Sequence, residues 1–111
     1  MNCQFHSLYF SDDGYVVRCK ECNNYQIAYL STILTLNEFD FKALCKLVKY
    51  KCTEPDYSCM INSKSIIIQT PSKGCCVIFT RLETLRFNEI LEQADSEEQA
   101  LLLISLFNKT V

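Results

Sequence analysis

Glycine and proline are scarce, with two of each in 111 residues, and there is one histidine. So few chain breakers exclude a flexible linker or a low-complexity segment. With glycine only at positions 14 and 74, no Gly-rich phosphate loop can be built. A lone histidine leaves nucleophilic catalysis short of its usual base. Charge of one sign is also missing. The net charge is −2 and the pI near 5.3, so bulk electrostatics favours no polyanionic partner. Apolar runs stop at stretches such as 100–104, far short of the ~20 residues that span a bilayer. The opening MNCQFHSLYF has neither the basic start nor the long apolar stretch of a secretory leader. A cytoplasmic location is therefore expected, and no membrane partner.

What is present is an ordinary folding composition, 49% hydrophobic and 22% charged. A chain of this length reads as one α+β domain spanning 1–111, its first thirty residues integrated with the core formed by 31–111. Eight cysteines stand out against that background. In a reducing compartment they point to metal ligands and small buried hydrophobes before disulfides.

Four potential ligands fall in the first 22 residues: Cys3 and His6, then Cys19 and Cys22. The spacing is C-x2-H, twelve residues, then C-x2-C. A tetrahedral zinc ion takes ligands in such tight pairs, and four protein ligands leave no open position for catalysis. The chemistry implied is a structural Zn2+. Three thiolates, one imidazole and Zn2+ sum to −1, which Arg18 and Lys20 would partly offset. The alternatives for Cys19 and Cys22 are plain thiols or a redox pair. A redox pair belongs at a helix N-terminus, whereas this one precedes a strand-like segment.

Between the ligand pairs, Leu8-Tyr9-Phe10 and Tyr15-Val16-Val17 flank Ser11-Asp12-Asp13-Gly14, a hairpin signal. Asn23-Asn24 offers the left-handed turn that follows a metal knuckle. Residues 25–30 and 33–36 predict a third strand or a broken pair. Asn37 caps a helix whose apolar stripe is Phe41, Leu44, Cys45, Val48 and Cys52, stopping before Glu54-Pro55. A second hairpin pairs 65–69 with 75–79, its sheet covered at least partly on both faces. Two more helices follow. One carries Phe87, Ile90, Leu91 and Ala94 and ends at Asp95-Ser96; its start is open, since Thr80 and Glu83 could form a capping box yet Leu82 and Leu85 fall off the apolar face. The last, through about Asn108, is capped by Ser96 with Gln99 and is apolar around most of its girth. The fold class is thus α+β: a zinc-ribbon-like N-terminal hairpin, then a small antiparallel sheet packed against three helices.

The remaining cysteines carry weaker signals. Cys45 reads as a core residue. Cys52 and Cys59 bracket the Pro55 loop and could pair on oxidation. Cys75 and Cys76 are strand neighbours that point to opposite faces, so they poorly share one ion. An apolar helix over 97–107 predicts a homodimer. Overall the order of features, with C-x2-H near the start, GYVVRCKEC, the NYQIAYLSTILTLNEFDF segment and a Leu-rich end, resembles a family of small Bacteroidota proteins of unknown function. That resemblance implies a bacterial cytoplasmic setting and no particular activity. The expected role is a zinc-stabilised interaction or regulatory module, not an enzyme. The alternatives are a nucleic-acid-binding ribbon using Lys20, Tyr25 and Tyr29, and a thiol enzyme using Cys75 or Cys76.

Overall fold

In the computed structural model the residues described are 4–53, 64, 66–71 and 75–109. The elements are β1 (Phe5–Ser11), β2 (Gly14–Cys19), β3 (Tyr25–Tyr29), β4 (Thr32–Leu36), α1 (Glu38–Thr53), β5 (Ile66–Gln69), β6 (Cys76–Phe79) and α2 (Arg81–Lys109). Strands β1 to β4 form one antiparallel sheet in sequence order; β5 and β6 form a separate hairpin.

Alternation along β2 and β3 decides which face meets the core. Val16, Tyr25, Ile27 and Tyr29 are buried against the helices, while Tyr15, Val17, Gln26 and Ala28 face the other way. Pairing sets Phe10, Tyr15, Ala28 and Ile33 in one row across that outer face. Phe10 and Ile33 there are 78% and 63% exposed. In β1 the register shifts between Ser7 and Tyr9, and the bulge lets Leu8 reach the core.

Turn chemistry explains the connections. The first hairpin turns at Asp12-Asp13, with Gly14 already paired to Ser11. Gly14 serves close approach: a Cβ there would lie 2.5 Å from the Ala28 carbonyl oxygen. Residues 25–36 form a broken pair, turning at Leu30-Ser31, with Leu30 at φ 54°. That left-handed conformation disfavours a branched side chain.

Asn37 caps α1 as expected, its side-chain oxygen accepting from the Asp40 amide at 2.8 Å. Phe41, Leu44 and Val48 are buried along one stripe, and the helix ends at Thr53, just before Glu54-Pro55. The Phe41 ring stacks on Tyr25 with centroids 4.1 Å apart. In the second hairpin Ile68, Val77 and Phe79 are buried, whereas Ile67 and Ile78 on the opposite face are exposed. That sheet is therefore covered on one face and not on both.

Among the described residues two helices, not three, pack on these strands. Thr80 and Glu83 do form the capping box, with reciprocal bonds of 2.9 and 3.1 Å. The helix then runs unbroken through Asp95-Ser96 to Lys109. Asp and Ser cost a helix only a few tenths of a kcal/mol, far less than Gly or Pro. No glycine or proline occurs between 81 and 109, and Asp95 is held by an ion pair to Lys42 on α1. Gln99, whose predicted part was in a cap at Ser96, instead donates to Asp95 at 3.1 Å.

Two backbone substitutions should move stability in opposite directions. Gly14→Ala should lower it by about 1–3 kcal/mol, because the new Cβ meets a backbone atom that cannot step aside. Leu30→Gly should raise it, by up to about 1 kcal/mol, by relieving the left-handed leucine. Urea unfolding midpoints measure both.

Candidate functional site

The open end of the first hairpin carries three of the four candidate metal ligands; Cys3 lies outside the described residues. Cys19 ends β2 and is 1% exposed, and Cys22 is exposed on the turn beyond it. The turn has the build of a metal knuckle. The Cys22 amide donates to the Cys19 sulfur at 3.5 Å, and the Asn23 amide to the Cys19 carbonyl at 2.9 Å. Asn23 takes φ 61°, the left-handed conformation expected after such a turn. The Cys19 amide in turn donates to the Asn24 carbonyl at 2.9 Å.

His6 is placed less favourably. It pairs with Arg18, one register position away from Cys19, which ends the strand and pairs with Phe5. Among the described residues no three His, Cys, Asp or Glu side chains gather closely enough to hold a metal ion. What the structure shows of the candidate site is the Cys19–Cys22 turn itself.

Arg18 does not stand beside the thiolates as its position in sequence suggests. Its guanidinium lies over the Tyr25 ring, 4.8 Å from the centroid, and pairs with Glu98 of α2 and, at 3.6 Å, with Glu38. The Tyr25 hydroxyl donates to the same Glu98 carboxylate at 2.6 Å. Burial pushes the Tyr25 phenol up to about 12, Arg18 acting in the opposite sense. Of the two basic residues near the knuckle, only Lys20 remains exposed to offset thiolate charge.

A groove of about 560 Å³ separates the hairpin end from α2. His6, Arg18, Cys19 and Lys20 border it on one side, with Glu98, Leu101 and Ser105 on the other. Nothing in the local sequence announces Glu98 as part of this site. It is one glutamate among several on α2, and its partners lie 73 and 80 positions earlier in the chain.

At the hairpin's other end a second cluster ties down the turn. Arg86 donates to Asp13 at 2.7 and 3.0 Å and to the Tyr9 hydroxyl at 2.6 Å. Those Arg86 bonds, helped by Ser11, hold the Asp13 carboxyl well below the usual carboxylate range. Every group here is already engaged by another side chain, so the cluster reads as a clamp. Glu83 is similarly lowered, by Lys64 and then by the capping bond from Thr80.

Tyr25 and Tyr29, candidates for stacking on bases, are buried. Their hydroxyls are spent on Glu98 and on the Glu83 carbonyl, the latter at 2.8 Å. Neither ring offers a face to a nucleic acid. Cys45 and Cys52 are inert by surroundings, since burial pushes the Cys45 thiol up to about 12 and raises that of Cys52. Cys76 is exposed and Cys75 half-buried on the second hairpin. Cys59 lies outside the described residues, so its pairing with Cys52 does too.

Comparison with known proteins adds one assignment. A profile described as a family of unknown function, DUF6686, matches residues 1–110. The chain belongs to that family. A search of curated proteins finds no match, and neither does a search of solved structures. Membership of DUF6686 supplies no activity, so the geometry carries the functional argument.

The Arg86 clamp gives a pH-dependent prediction. Asp13 stays ionised and bound in the folded chain where an unfolded chain takes up a proton. Its stabilisation is complete above the ordinary aspartate value of 3.8 and fades as pH falls below it. Asp13→Asn should therefore unfold at lower urea than the parent at neutral pH. The two midpoints should converge under acid, and a constant gap would mean that the carboxylate charge is irrelevant.

Proposed function

We propose that this protein is a small zinc-stapled interaction module that works by docking another macromolecule and catalyses no reaction. In this reading Cys3, His6, Cys19 and Cys22 hold a structural zinc ion, which fixes the open end of the first hairpin. The Cys19–Cys22 knuckle supports the metal half of the proposal, through the amide bond to sulfur and the left-handed Asn23. The setting we infer is a reducing bacterial cytoplasm, as the Bacteroidota resemblance and the unpaired exposed thiols Cys22 and Cys76 favour.

The observation that carries the docking half is the far end of α2. Leu102, Leu103, Ile104 and Leu106 are all more than half exposed on a helix that projects past the body. Water-exposed leucines in succession mark a surface that another molecule covers. The outer row of the four-stranded sheet, with Phe10 and Ile33, is a second and smaller apolar surface.

Metal analysis of protein purified without chelator tests the staple. About one zinc per chain is expected, and cobalt substitution should give the visible bands of a tetrahedral thiolate site. Cys22→Ser should lose most of the metal and loosen the hairpin amides in hydrogen exchange. A zinc ratio near zero would sink the staple while leaving the docking surface untouched.

A further inference from the structure

The projecting end of α2 differs in kind from the rest of that helix. Up to residue 101 the helix buries one stripe, Phe87, Ile90, Leu91 and Ala94, and turns Glu89, Glu92, Ser96 and Glu97 to solvent. From Gln99 to Asn108 no residue carries a charge. Gln99, Leu102, Leu103 and Leu106 follow at i, i+3, i+4 and i+7, the spacing of a helix-pairing seam. That seam lies on the side away from the body, because Leu101 and Ser105 are the residues that face the groove. The overhang shows in the dimensions. The radius of gyration is 15.4 Å, where a compact chain of this length has about 13 Å, and the long axis reaches 56 Å.

We infer that a second copy of this chain covers the seam, the two α2 ends pairing antiparallel about a two-fold axis near Leu103. This rests on the docking role proposed above and names its partner. Charge pattern selects the occupant. A two-fold axis sets the residues at the axis against their own copies, which is tolerable where those are uncharged, and the seam is the uncharged part of α2. Parallel pairing would instead align the acidic stretch of one helix, Glu89, Glu92 and Glu97, with the same stretch of the other. Antiparallel pairing over 99–107 keeps apolar residues on apolar residues and sends the acidic stretches apart. The area is adequate as well. Four side chains more than half exposed in each copy, with their flanks, remove roughly 1,000 Å² in total, about the threshold for a specific interface.

Sedimentation of the full chain over roughly a hundredfold concentration range, reaching tens of micromolar, tests this. The parent should sediment at about twice the 12.9 kDa chain mass. Leu103→Glu and Leu103→Lys should each sediment as single chains with unchanged helical circular dichroism. Their dissociation constants should rise about a hundredfold or more, since each sets like charges together in a desolvated seam. Mixing the two variants should restore the doubled mass, which loss of folding would not allow. A single-chain parent throughout the range, or doubled mass in both variants, would overturn self-pairing. A mixture that stays single would overturn the antiparallel arrangement. Should the parent prove single, binding of an apolar dye that Leu103→Glu abolishes would keep the seam for a different partner. No such binding would overturn the docking role itself. Flotation of a single-chain parent with neutral or anionic vesicles would assign the seam to lipid instead.

Discussion

One carboxylate holds the sheet and the long helix in register. Glu98 receives both the Tyr25 hydroxyl and the Arg18 guanidinium, and Arg18 in turn covers the Tyr25 ring. Tyr25 stacks on Phe41 of α1, so a disturbance at Glu98 reaches both helices and two strands. Burying part of a carboxylate is unfavourable unless its oxygens are met, and here both are. Arg86 with Asp13 repeats the arrangement at the hairpin turn, and Lys42 with Asp95 ties α2 to α1 between them. These three ties, spread along α2, fix its rotation. Rotation then determines that Phe87, Ile90, Leu91 and Ala94 enter the core and that Leu103 points away from it.

Much of the local structure was legible from residue chemistry alone. The hairpin around Asp12-Asp13, the Asn37 cap, the Thr80/Glu83 box and the stripe of α1 each depend on residues within one turn of each other. Two expectations failed for related reasons. The break at Asp95-Ser96 did not occur because weak local preference yields to long-range ties, and both Lys42 and Arg18 lie far away in sequence. The second sheet reads as apolar on both faces, yet one face stays open with Ile67 and Ile78 exposed. Strand composition records what can be buried, not which neighbour arrives to bury it.

The candidate metal site divides along the same line. Its knuckle is a local structure, four residues and a left-handed asparagine, and the sequence pattern anticipates it. Ligand convergence is not local. It depends on which face of β1 carries His6, and the bulge at Leu8 shifts the register of the remaining strand relative to that end. Pairing of Arg18 with a glutamate 80 positions later was equally invisible, and it removes a charge that spacing alone places beside the thiolates.

Chain order gives the position of α2 a kinetic meaning. The four strands and α1 precede it, yet Leu8, Val16, Ile27 and Tyr29 belong to a core cluster that includes Phe87, Ile90 and Leu91. As the chain is synthesised, the sheet therefore emerges with only α1 available to its inner face, and the part that α2 covers stays open. A four-stranded antiparallel sheet in that state is adhesive, and β1 and β4 are both unprotected edges. That face closes only once α2, which begins at Arg81, has followed the strands out. Until then the open strands are the part of the chain most exposed to misassembly.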